Sequence, residues 1–67
     1  MVYIESWMNA DKFLEKYPGA IVVKNEAELW LLAPGIREAL HDVTAPQSGD
    51  NWRVLSNGYY HSVVEVW

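Results

Sequence analysis

The chain holds few side chains whose type and spacing could support catalysis. Its two histidines are each followed by a residue that catalytic sites use, Asp42 after His41 and Ser62 after His61. A nucleophile, a base and an orienting acid must meet in space, however, and neighbours along a strand point to opposite faces. The sequence contains no glycine-rich phosphate loop, no nucleophile elbow and no spaced set of metal ligands. We therefore predict that the protein is not an enzyme and uses neither a metal nor another cofactor.

Acidic residues in the middle of the chain are candidates for contact with a basic partner. Clustered carboxylates attract a positively charged surface. The alternative is that they are ordinary solvated residues on helix faces, since only 21% of the chain is charged. The candidates are Glu26, Glu28, Glu38 and Asp42.

Aromatic residues are the most unusual feature of the composition. The chain has four Trp and four Tyr among its 67 residues, and a core of this size cannot enclose every ring. Trp and Tyr are frequent at the energetic centres of protein interfaces. We assign Trp7 and Trp30 to the core, whereas the rings near the C-terminus are candidates for a partner surface, with a place in the core as the alternative. These candidates are Trp52, Tyr59, His61 and Trp67.

A β-hairpin is predicted over residues 52–67, because Asn57-Gly58 separates two strand-like runs. Asn-Gly favours a two-residue type I′ turn, which places Trp52 opposite Val63 and all four C-terminal candidates on one face. Large apolar side chains occur on both faces of this hairpin. An antiparallel sheet with one wet face should instead alternate apolar and polar residues, so we expect a partner to cover one face.

Pro-Gly pairs divide the rest of the chain into short elements. Apolar residues spaced i, i+3, i+4 and i+7 predict helices over 10–17 and 36–43, and β-branched runs predict strands over 2–7 and 20–23. Residues 25–33 remain open between a helix, indicated by an N-cap pattern, and a strand paired with the run before it.

Together these elements predict an α+β fold that forms a single domain over residues 1–67. We expect an antiparallel or mixed sheet of three to five strands, with the C-terminal β-hairpin and two or three short helices on one side.

Length and charge exclude several functional classes. A chain of 67 residues is too short for a multidomain enzyme, because domains typically need about 100–200 residues each. The net charge of −4 argues against direct nucleic-acid binding, which normally requires a basic patch. The N-terminus lacks the basic and apolar regions of a secretory leader, and no apolar run approaches a membrane span. We expect no membrane association and a cytoplasmic location, in the host cell cytoplasm if the protein is viral.

The composition favours a protein partner. It is similar to that of small acidic phage and mobile-element proteins, such as anti-defence proteins, that inhibit larger host proteins. The sequence therefore predicts a small protein-binding module that inhibits or regulates a larger protein machine by steric occlusion. The alternative is a structural or regulatory homo-oligomer, in which the aromatic hairpins pair face to face or edge to edge through the final strand.

Overall fold

Seven short elements make up the fold. The computed structural model describes residues 1–67. In chain order the elements are β1 (Val2–Ser6), α1 (Asp11–Lys16), β2 (Ile21–Val22), α2 (Glu26–Trp30), α3 (Ile36–His41), β3 (Trp52–Asn57) and β4 (His61–Val66).

The strands form one mixed sheet in the order β2-β1-β4-β3. β1 is parallel to β2 and antiparallel to β4, and β4 is antiparallel to β3. The predicted α+β class, the mixed sheet, the C-terminal hairpin and the short helices are thereby confirmed. Because β4 is hydrogen-bonded on both sides, the final strand offers no free edge through which two copies could pair.

The open question over residues 25–33 is answered by α2, which is a helix. The Asn25 side chain accepts a hydrogen bond from the Glu28 backbone N–H at 3.3 Å, and the Glu28 carboxylate accepts one from the Asn25 N–H. This reciprocal arrangement is a capping box, which satisfies backbone donors that the first helical turn leaves unpaired. The same carboxylate also accepts the Lys24 N–H at 2.6 Å.

The main core lies between α2, α3 and one face of the sheet. Apolar residues of the two helices pack on side chains from β3 and β4, with Tyr3 of β1 at the margin. The buried members are Leu29, Ala33, Ile36, Ala39, Leu40, Trp52 and Val64.

The opposite face of the sheet is contacted by α1. Side chains alternate along a strand, so His61 and Val63 lie on the face of β4 that Val64 does not share. The Phe13 ring of α1 stacks on His61 with ring centroids 4.6 Å apart, and Val63 is fully buried. Two helices, α2 and α3, thus lie on one side of the sheet as predicted, and α1 lies on the other. The chain itself covers apolar residues on both faces, where we expected a partner.

The hairpin forms with a register that differs from the predicted one. Trp52 pairs with Val66 instead of Val63. Neither Asn57 nor Gly58 has a positive φ, which a type I′ turn requires of both central residues. The connection between the strands is longer than two residues, and a register shift between Val54 and Ser56 marks a β-bulge.

A partly buried polar network explains why Asn57 stays in the strand. Its side-chain amide donates to the Leu40 carbonyl at 2.9 Å, and its side-chain oxygen accepts from the Ser62 hydroxyl at 3.0 Å. These bonds tie the end of α3 to both strands of the hairpin. Tertiary contacts therefore override the local turn preference of Asn-Gly.

Candidate functional site

The structure separates the four C-terminal residues that were predicted to share one face. Trp52 is only 5% exposed and belongs to the main core. Its indole lies against two glycines: a Cβ on Gly35 would come within 2.9 Å of Cζ2, and one on Gly49 would overlap the ring. Trp52 is therefore a core residue in the folded protein and is not accessible to a partner.

The other three residues occupy different surroundings. Tyr59 lies between β3 and β4 and is fully exposed, and Trp67 follows β4 with 63% of its surface exposed. His61 is partly buried beneath Phe13. Burial, and secondly the positive charge of Lys12, lowers the pKa of His61, which favours the neutral imidazole.

Ser56 lies beside His61 across the hairpin. The Ser56 hydroxyl and Nε2 of His61 are 2.7 Å apart, a distance at which an imidazole can act as base toward a hydroxyl. No hydrogen bond joins the other ring nitrogen to a carboxylate, which is the third member of a catalytic triad. The contact connects β3 to β4 next to the β-bulge.

Two of the four acidic candidates are engaged by their own neighbours. The Glu28 carboxylate caps α2, as described above. The Asp42 carboxylate accepts the Thr44 backbone N–H at 2.9 Å and the Thr44 hydroxyl at 2.7 Å, and these two hydrogen bonds lower the pKa of Asp42. Glu38 is exposed on α3 and borders a cleft of about 300 Å³, whereas Glu26 lines a cavity of larger volume.

That cavity is a groove of about 760 Å³ between the end of β1 and α2, with the end of α3 at its border. We call it the Glu5 groove. The residues that give it chemical character are Glu5, Trp7, Lys24, Glu26, Trp30 and His41.

Glu5 is a buried carboxyl group without a partner in the protein. It is 4% exposed, and the surface that it retains lines the groove. Burial, and secondly the negative charge of Glu26, raises the pKa of Glu5. Glu26 itself contacts His41, with Oε1 3.4 Å from Nε2. The groove therefore carries two neighbouring carboxyl groups, one of them poorly solvated.

Trp30 lies between Arg37 and His41 at the wall of the groove. The Arg37 guanidinium lies 4.6 Å from its ring centroid, and the His41 ring lies 5.5 Å away. The Trp30 indole N–H is buried without a hydrogen-bond partner. Trp30 also packs against the main core, partly as the sequence predicted.

A second surface lies beside this groove, and of its members only Tyr59 was a candidate from the sequence. Trp7 was expected in the core, but it follows the last residue of β1 and donates its backbone N–H to the Tyr60 carbonyl at 2.8 Å. Four large side chains there are between 58% and 100% exposed. We call them the aromatic patch: Trp7, Met8, Tyr59 and Tyr60. The consecutive tyrosines in a hairpin connection were the sequence feature that could have revealed it.

Comparison of the chain with protein-family models, with curated proteins and with solved structures gives no match. None of the three helices has the length and apolar character needed to cross a bilayer. No group of three or more His, Asp or Glu side chains is arranged to hold a metal ion.

Proposed function

We propose that the protein is a small protein-binding module that inhibits or regulates a larger protein by covering part of its surface. The aromatic patch is the observation that carries this proposal. Isolated exposed apolar residues are ordinary on soluble proteins, whereas contiguous apolar patches mark interaction sites. Trp and Tyr are also the residues that contribute most binding energy per interface.

The position of the patch suits steric occlusion. Trp7 is hydrogen-bonded to the connection between β3 and β4 through its backbone, and the Tyr59 and Tyr60 rings lie 6.4 Å apart. The backbone that carries these rings is fixed to the end of the sheet, which limits the backbone freedom lost on binding and so favours affinity. The net charge of −4 favours encounter with a basic surface. The small size and acidity support the phage or mobile-element inhibitor type.

The test is affinity capture of a partner protein from a cell lysate with the wild-type chain and with variants that each lack one exposed aromatic ring. Trp7→Ala and Tyr59→Ala remove exposed rings from the patch, and Trp67→Ala removes an exposed ring outside it. We expect one stoichiometric partner to be captured by the wild type and by Trp67→Ala, and to be lost with both patch variants. The purified wild-type protein should then lower the activity of that partner, while Trp7→Ala should not.

A homo-oligomer is the alternative outcome of the same experiment. In that case only further copies of the chain are recovered, and the melting temperature rises with protein concentration. Capture of a partner that is indifferent to all three substitutions would show that the aromatic patch is not the binding surface.

A further inference from the structure

We propose that the Glu5 groove binds one arginine side chain of the partner, with the guanidinium between the carboxyl groups of Glu5 and Glu26 and against the Trp7 indole. This inference rests on the proposed function, because it names the chemistry of the partner segment that docks beside the aromatic patch. It adds a specific charged contact to a surface that is otherwise apolar.

The environment of Glu5 is the first reason. Acidic side chains are almost never this deeply buried unless they are paired, because an ionised carboxyl group that leaves water needs compensating donors. Glu5 is 4% exposed and receives no hydrogen bond or ion pair from any other residue. Its carboxyl oxygens keep contact with solvent in the groove, so a donor from a ligand can reach them there.

The neighbours of Glu5 indicate that this donor is a cation. Glu26 lines the same groove and is close enough for its charge to act on Glu5. Two adjacent carboxyl groups repel each other, and a cation between them relieves this repulsion. The contact of Glu26 with His41 at 3.4 Å is largely open to solvent and leaves Glu5 without a partner.

Arginine fits this groove better than lysine. The guanidinium is planar, donates several hydrogen bonds to carboxylates, stacks on aromatic rings and is more weakly hydrated than an ammonium group. The protein already contains one such contact, in which Arg37 lies 4.6 Å from the Trp30 ring centroid. The Trp7 indole, largely exposed at the groove, offers a second ring face.

The position of the groove suits one side chain from a larger partner. Its volume of about 760 Å³ exceeds what one side chain fills and leaves room for solvent beside it. Trp7 belongs both to the groove and to the aromatic patch, so a single partner segment can contact both.

The test titrates the ¹⁵N-labelled protein with the tripeptide acetyl-Gly-Arg-Gly-amide and follows backbone amide shifts. The matched probe contains citrulline, which keeps the shape of arginine without its charge. We expect saturable shifts at residues 5–7 and 24–27 with the arginine peptide, and at least about tenfold weaker binding of the citrulline peptide, as for loss of a charged hydrogen bond.

Three variants locate the site. Glu5→Gln keeps the side-chain shape and should weaken binding of the arginine peptide by about tenfold or more. Glu26→Gln should weaken it as well. Glu15→Gln removes one negative charge from the exposed surface of α1 and should leave the affinity unchanged.

Three results would each overturn the inference. They are equal affinity for the two peptides, unchanged affinity in Glu5→Gln, and no binding at about 10 mM peptide. At that concentration a ligand with a Kd of about 1 mM would be mostly bound. Failure of the inference differs from failure of the proposed function. If partner capture depends on Tyr59 but the peptide does not bind, only the arginine site is wrong. If the peptide binds but no partner protein is captured, the arginine site is supported and the proposal of a protein-binding module fails.

Discussion

Replacing Trp52 with alanine should cost the protein most of its stability. The Trp52 side chain is 5% exposed and packs with Leu29, Ile36 and Leu40 in the main core. It also lies directly against Gly35. Removing this indole therefore leaves a cavity between α3 and the sheet, with few side chains able to move into it.

The expected magnitude follows from the burial. Substitution of a buried Trp by alanine typically costs about 3–5 kcal/mol. A domain of this length is stable by roughly 3–10 kcal/mol in total, at about 0.05–0.15 kcal/mol per residue. Trp52→Ala should remove between a third and all of the free energy of unfolding, so its urea unfolding midpoint should fall by at least about a third.

The assay is urea-induced unfolding followed by far-ultraviolet circular dichroism, with Trp67→Ala as the control. Trp67 is 63% exposed, and its backbone N–H bond to Asn51 does not depend on the side chain. The control should change the free energy of unfolding by less than about 1 kcal/mol. A Trp52→Ala variant as stable as Trp67→Ala would refute the assignment of Trp52 to the core.

Three further substitutions test the local physics of the fold. Gly35→Ala should destabilise by about 1–3 kcal/mol in urea unfolding, because φ is +96° and a Cβ would meet the Trp52 ring at 2.9 Å; an unchanged midpoint would contradict this. Asn25→Ala should cost about 1 kcal/mol by removing the cap of α2, seen as a lower melting temperature, and no loss would mean that the cap is dispensable. Burial, and secondly the charge of Glu26, raises the pKa of Glu5 above 4.5. The folded state therefore binds the Glu5 proton more tightly than the unfolded state does. As a result, the free energy of unfolding falls as the pH rises from 4.5 through the pKa of the folded state. Glu5→Gln should therefore be more stable than the wild type at neutral pH, with a difference that shrinks on acidification toward 4.5; equal melting temperatures at every pH would contradict the raised pKa.

Local sequence patterns were sufficient to predict α1 and α3 and left α2 open between a helix and a strand. The spacing of apolar residues predicts α1 and α3, and the capping pattern of Asn25 and Glu28 favours α2 over a strand. These features depend on residues within one or two turns of each other, so their outcome does not require the rest of the fold.

The hairpin register depends on residues distant in sequence and could not be predicted from the turn. The Asn57 side-chain amide donates a hydrogen bond to the carbonyl of Leu40, 17 residues away. That contact keeps Asn57 in β3 and removes it from the turn that its pairing with Gly58 favours. A one-residue change of register moves side chains to the other face of the sheet, which is why the four C-terminal candidates are not brought together.

The candidate site also depends on contacts between residues that are distant in sequence. Sequence composition indicated that some rings must be exposed. Trp7, which was assigned to the core, is exposed, and Trp52, a candidate for the partner surface, is buried. Burial depends on strand order and on helix placement, neither of which is encoded in neighbouring residues. The pairing of Glu5 with Glu26 likewise arises only when α2 packs on β1, so the groove had no sequence signature.

The central place of β4 has a consequence for how the protein folds. In the sheet, β4 lies between β1 and β3. Its pairing with β1 places Val2 opposite Glu65. Contacts between such distant residues slow folding, because a long loop must close before they form. During synthesis β1 and β3 have no connecting strand until residues 61–66 are made, so the sheet cannot be completed before then. Shortening the chain within residues 61–67 would divide the sheet in the middle instead of trimming one edge.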